Sequence, residues 1–207
     1  MRIGLLGGSF NPAHDAHRQI SLIALKRLGL DRVWWLVSPS NPLKDTAKLP
    51  SLAQRVAGAK KIADHPRIDV SGYSGASKSP YTVDLLTDLK RRFPNVNFVW
   101  LMGADNLAGF HRWHEWPRIF TLMPIAVLDR PGYRLKARAS QAALRFGDYF
   151  VDESDATGLI LQLPPAWTVL SHPLSTLSST ELRTKPRKAE AKPKTRDKPQ
   201  KKTPKRG

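Results

Sequence analysis

The 207-residue sequence predicts an α/β fold, a Rossmann-like, doubly wound sheet of mainly parallel strands with helices on both faces. Three observations predict it. Short apolar runs alternate with stretches of helical spacing along most of the chain. The first of these units reads strand, helix, strand, which in a right-handed crossover makes the two strands parallel. The segments richest in glycine, histidine and hydroxyl side chains stand directly behind the apolar runs, where ligands bind in such sheets.

In order, Arg2 to Leu6 is an apolar run fit for a buried strand, and from Asp15 the residues Ile20, Ile23, Ala24 and Leu28 have helical spacing that ends at Gly29, a suitable C-cap. RVWWLVSP, Arg32 to Pro39, reads as the next buried strand. A helix from about Ser51 to Asp64, closed by His65-Pro66, a short strand Ile68 to Ser71 and a helix from about Thr82 to Arg92, stopped by Pro94, continue the alternation. Asn97 to Met102 is a strong strand ending in Gly103; short helices around Leu107 to Ile119 follow, then a strand Ile125 to Leu128 and the turn Arg130-Pro131-Gly132. A helix near Leu135 to Phe146 and strands near Leu159 to Leu163 and Thr168 to Ser171 complete the expectation.

Composition narrows the chemistry. Hydrophobic residues at 41% suffice for one core, and no apolar run approaches the roughly 18 residues of a membrane span. The opening MRIGLLGGSF turns to glycine and polar residues too soon for a signal-peptide core, so a cytoplasmic protein is expected. The absence of cysteine excludes disulfides, thiolate zinc sites, iron–sulfur clusters and cysteine nucleophiles. The net charge of +17 suggests polyanion binding, but its distribution weakens that reading: residues 183–207 hold 12 Lys plus Arg against 2 acids, leaving a moderately basic body. Residues 185–207 are expected to form a disordered Lys/Pro-rich tail, a solubilising appendage or a weak polyanion tether, and residues 1–184 a single folded domain.

The stretch GGSFNPAHDAH, Gly7 to His17, carries the first site. Gly7 and Gly8 let the chain turn and let backbone amides approach an anion, while the helix beginning near Asp15 directs its positive end to the same place. The pattern is neither GxGxxG nor Gly-Lys-Ser/Thr. His14 and His17 share one helix face; two histidines leave a metal half-coordinated, so anion contact is preferred over metal ligation or a plain N-cap histidine. Near the end, Ser178, Ser179 and Thr180 offer hydroxyls and amides at a helix start, with Arg183 one turn on as a forked cation for phosphate oxygens. Ser79 to Leu86 reads as another helix N-terminus. Trp34, Trp35 and Trp100 lie inside strand patterns and are assigned to packing, as is Trp116.

GGSFNPAHDAH resembles the GGSFDPxHxGH signature of the nucleotidyltransferase superfamily, and more closely that of bacterial nicotinate-nucleotide adenylyltransferases, with Asn11 for Asp and Ala16 for Gly. LSSTELR, Leu177 to Arg183, resembles the family's ISSTxIR; SPYTVDLL resembles SYTxDTL; LMGADNLAGFHRWHEW, Leu101 to Trp116, resembles GxDxLxxFxxW. SNPLK stands where the family often has PPHK, keeping Lys44 but placing Leu43 where the histidine would be, so one phosphate contact is missing there or comes from elsewhere. VLDRPGY, Val127 to Tyr133, resembles a further family stretch expected to be structural, and the family's closing P-x-x-V-x-x-Y-I segment has no counterpart.

The resemblance implies transfer of the adenylyl group of ATP to nicotinate mononucleotide, with Mg2+ carried on the ATP phosphates and no dedicated carboxylate cage. It implies His17, His14 and Lys44 at the reacting phosphate. ATP phosphates would meet Gly7, Gly8, Ser9, Phe10, Ser178, Ser179, Thr180 and Arg183. The mononucleotide would meet Tyr81 and Thr82 through its carboxylate, Asp105 through its ribose and Trp113 through its ring. Sister enzymes acting on nicotinamide mononucleotide or phosphopantetheine, a cytidylyltransferase, and a non-catalytic nucleotide- or nucleic-acid-binding protein remain alternatives, although no RNP, helix-turn-helix or zinc pattern supports the last.

Overall fold

The computed structural model describes residues 1–39, 49–73, 75, 79–130 and 132–171. Among them six strands form one sheet: β1 (Arg2–Gly8), β2 (Arg32–Val37), β3 (Ile68–Ser71), β4 (Asn97–Gly103), β5 (Ile125–Leu128) and β6 (Trp167–Leu170). Their order is β3-β2-β1-β4-β5-β6 and every pair is parallel. Strand order therefore reverses between β1 and β4, and the carboxyl ends of those two strands flank the crevice where open α/β sheets bind ligands.

The helices are α1 (Asp15–Arg27), α2 (Leu52–Ala63), α3 (Thr82–Arg92), α4 (Ala104–Ala108), α5 (Trp116–Leu122), α6 (Arg134–Arg138) and α7 (Gln141–Arg145). Side chains alternate across the sheet with period two. Ile3, Leu5, Trp100 and Met102 pack under α3, α4 and α5, whereas Leu6, Trp35, Val99 and Leu101 pack against α1 and α2. Both faces are closed, as strands that are apolar throughout require. None of the described helices is long and apolar enough to cross a membrane.

Two expected elements differ. The run near Leu159 to Leu163 is no strand: residues Glu153–Leu161 form a 3-10 helix whose start is capped by Asp152, which accepts from the Ser154 amide at 2.9 Å. Ala156, Leu159 and Ile160 are buried while Leu161 and Leu163 are exposed, a helical spacing that the alternation in LILQL concealed. The single helix expected near Leu135 to Phe146 divides at Ser140, whose hydroxyl accepts from the Ala143 amide at 3.2 Å and starts α7 afresh.

The glycines of the opening motif are also placed differently. Both Gly7 and Gly8 lie inside β1, and the left-handed residue of the loop is Phe10, with φ 46°. A large side chain there is strained. Phe10 is nonetheless 2% exposed, its ring stacked on Trp35 at 5.0 Å and set against His17 at 4.8 Å, so aromatic burial offsets the backbone cost. Gly7 is required by packing: a Cβ on it would lie 2.3 Å from Trp100 Cη2. Replacing Gly7 by Ala should therefore destabilise the chain by about 1–3 kcal/mol. Urea denaturation measures this, and an unchanged midpoint would contradict the assignment.

Candidate active site

A cavity of about 340 Å³ opens at the carboxyl ends of β1, β2 and β4. Its lining includes Gly7, Gly8 and Ser9 of the opening motif, the apolar Leu36, Leu85 and Trp100, and Tyr81, Thr82 and Trp113. Trp113 follows the 3-10 turn Phe110–Arg112 and is held by its ring contact with Phe110 at 4.9 Å. Tyr81 is the N-cap of α3, and its amide donates to Ser79 Oγ at 3.2 Å. Thr82 begins the helix, so the positive end of α3 faces the cavity as the sequence led one to expect.

The loop between β1 and α1 is fixed by a residue that the sequence reading did not single out. Arg55, on α2, is 4% exposed and donates to the carbonyl oxygens of Ser9 (2.8 Å), Ser38 (2.7 Å), Pro39 (3.0 Å) and Pro50 (3.0 Å). It joins the ends of β1 and β2 to α2. No ion pair to it exists among the described residues, and burial pulls its pKa below the ordinary arginine value; an arginine nevertheless stays protonated. A positive charge without a carboxylate partner thus sits beneath the loop and favours an anion above it. Its signal in the sequence was position: Arg55 falls between Leu52, Val56 and Ala59, within the stripe that faces the sheet.

His14 is the N-cap of α1 and His17 its third residue. Their ring centroids are 3.9 Å apart, the His14 amide donates to His17 Nδ1 at 3.2 Å, and the His17 amide donates to the His14 carbonyl at 2.9 Å. Burial first, then the neighbouring His14 and the charge of Arg130, lower the His17 pKa to about 3. His17 is therefore neutral at pH 7. Because Nδ1 accepts a hydrogen bond, its proton resides on Nε2, and the ring is an uncharged donor rather than a standing cation. Among the described residues no group of three or more His, Asp or Glu stands close enough to hold a metal ion.

Asp105, in the first turn of α4, receives Arg130 Nη1 at 2.5 Å, with its carboxylate tucked against Gly103, where a Cβ would collide with Oδ1. One of its oxygens is thus already engaged, and Arg130, expected to be structural, stands beside the histidines just beyond β5. The Phe10 side chain is buried, so that position offers a ligand only its backbone. Trp100 is buried as expected but also lines the cavity. Trp116 packs edge-on against Phe120 and Phe146. Lys44, Ser178, Ser179, Thr180 and Arg183 lie outside the described residues, as do Leu43 and the stretch 185–207.

The cytidylyltransferase-like family model matches residues 5–185. A probable nicotinate-nucleotide adenylyltransferase of Methylorubrum extorquens (strain PA1) is 55% identical over 185 residues, 89% of this chain and 100% of the relative. One from Bradyrhizobium sp. (strain ORS 278) is 54% identical over 183 residues, 88% of this chain and 95% of the relative. Among solved structures, Plasmodium falciparum nicotinic acid mononucleotide adenylyltransferase complexed with NaAD superposes with a TM-score of 0.65 at 20% identity, covering 88% of this chain and 82% of that one, which establishes the shared fold. The chain belongs to the cytidylyltransferase-like family and, within it, to the nicotinate-nucleotide adenylyltransferases.

Proposed function

We propose that this chain joins ATP to nicotinate mononucleotide, giving nicotinate adenine dinucleotide and pyrophosphate in NAD biosynthesis. The observation that carries the reading is the cavity at the β1/β4 reversal, lined by Trp113 and Tyr81 for a planar ring and by Gly7, Gly8 and Ser9, the last with its carbonyl held by the buried Arg55. Relatives at 54–55% identity that carry the same activity in their names support it.

An oxygen of the mononucleotide phosphate attacks the α-phosphorus of ATP in line. The bond to the β-phosphate oxygen breaks, and its electron pair leaves with pyrophosphate. The attacking group is already a nucleophile, so the protein's task is positioning and charge stabilisation. In this reading His17 Nε2–H and Lys44 meet the charge growing on the α-phosphate, and His14 orients the triphosphate. The amides of Gly7, Gly8, Ser9 and Phe10 line its path, while Ser178, Ser179, Thr180 and Arg183 hold the leaving pyrophosphate. Asp105 uses its remaining acceptor sites for ribose hydroxyls. Magnesium, when bound, would be held by the triphosphate, since no cluster of three or more His, Asp or Glu stands ready for it among the described residues, and it would supply charge neutralisation at the phosphates. We assign residues 1–184 to this unit, residues 185–207 to a Lys/Pro-rich appendage that serves solubility first and weak polyanion binding second, and the protein to the cytoplasm, where ATP is at hand.

The neutral state of free His17 has consequences in both directions. An unfolded histidine titrates near 6.5, so between pH 6.5 and about 3 the unfolded chain binds the extra proton; this contribution to stability is complete above pH 6.5 and is lost as pH falls toward 3. A bound triphosphate acts oppositely and raises the His17 pKa. Nitrogen NMR of the free protein should show no His17 titration between pH 5 and 8, and a midpoint near 6.5 would contradict the burial argument. In assays of pyrophosphate release with ATP and each acceptor, the acid mononucleotide should outperform its amide and phosphopantetheine. His17→Ala should lower kcat on the order of 100-fold or more; undiminished turnover in that variant would remove His17 from the mechanism.

A further inference from the structure

Arg112 lines the cavity immediately before Trp113 and has no counterpart among the roles discussed above. It closes the 3-10 turn Phe110–Arg112, with its amide donating to the Gly109 carbonyl at 3.1 Å. The guanidinium lies on the backbone of Gly109: a Cβ there would stand 2.6 Å from Nη2 and 3.4 Å from Cζ. Packing on a glycine, rather than pairing with an acid, holds it. Among the described residues Arg112 makes no ion pair and no side-chain hydrogen bond.

The surroundings leave that charge unneutralised. The described cavity lining contains no carboxylate. Glu115, the nearest acid in sequence, is engaged by Arg118 at 2.9 Å and lies 3.8 Å from His114 Nε2, while Asp84 accepts from Ser79 Oγ at 2.6 Å. Much of the lining is apolar, from Leu36, Leu85, Trp100 and Trp113, while Arg112 itself is exposed at the rim, so its charge reaches an occupant of the cavity under partial screening by water and salt. The His114 ring lies tilted against Tyr81, centroids 4.3 Å apart, and both line the cavity. An occupant with a negative substituent gains from this rim, whereas a neutral isostere of the same shape does not.

We propose that Arg112 is a specificity-determining residue that favours the acid mononucleotide over its amide by placing an unpaired guanidinium at the cavity holding the pyridine ring. The inference rests on the adenylyl-transfer reading. The two acceptors share ribose and phosphate and differ at the ring by one negative charge, so a contact to the ring substituent changes their ratio, whereas a contact to the phosphate moves both together.

The test is kcat/KM for nicotinate and nicotinamide mononucleotides with wild type, Arg112→Gln, Arg112→Lys and Gly109→Ala. Arg112→Gln should lower the acid-to-amide ratio by about tenfold, chiefly through KM for the acid. Arg112→Lys should retain most of the preference. Gly109→Ala, which keeps the charge but displaces the guanidinium, should also lower the ratio. Raising salt should shrink the wild-type preference and leave that of Arg112→Gln flat. A ratio within twofold of wild type in Arg112→Gln would overturn the proposal, as would parallel losses on both acceptors, which would put Arg112 on the shared phosphate. A wild-type chain inert toward both acceptors would instead overturn the adenylyl-transfer reading, and this inference with it.

Discussion

The site depends on one buried guanidinium. Arg55 gathers four carbonyl oxygens from the ends of β1 and β2 and from the entrance to α2, and it is the reason the Gly7–His17 loop and the mouth of the cavity share one rigid frame. Burying a cation is costly unless hydrogen bonds satisfy it, and here carbonyl dipoles do so without cancelling its charge. Structure and electrostatics are thereby coupled. The bond that fixes the Ser9 carbonyl also leaves a positive potential under the segment where a triphosphate would lie.

The other charges are arranged around that centre with different degrees of compensation. Arg130 is tied to Asp105, which restrains it while leaving acceptor capacity on the carboxylate. His17 is kept neutral by burial, so it adds hydrogen-bonding directionality without further positive charge. Arg112 lines the cavity and makes no ion pair among the described residues. A neutral His17 thus adds no repulsion to the charge of Arg130, with which it interacts.

Much of this was legible in the sequence because apolar runs and helix spacing are local signals. RVWWLV, NFVWLM and IAVL read correctly as buried strands, and Thr82 and Trp113, given to one ligand by the family resemblance of their motifs, line one cavity. LILQL misled because alternation of Leu with Ile and Gln fits a strand or one side of a tight helix equally well, and only the Asp152 cap and packing decide between them. Gly7 looked like a turn residue, but the indole of Trp100, 93 positions away, sets its requirement, and no local pattern carries such a contact. Arg55 was hidden for the opposite reason: an arginine in a helix is ordinarily a surface residue, and its burial becomes visible only when its neighbours Leu52, Val56 and Ala59 are read as the inward stripe.

In the proposed reaction the cavity at the β1/β4 reversal would take the pyridine ring and the Gly7–His17 loop the phosphates. A crystal structure of the chain with nicotinate adenine dinucleotide tests it most directly. The account predicts the pyridine ring against Trp113 and above Trp100, its carboxylate near the Thr82 end of α3, and the bridging phosphates beside His17 and the Gly8–Ser9 backbone. Adenine in that cavity, or phosphates remote from the loop over Arg55, would contradict it.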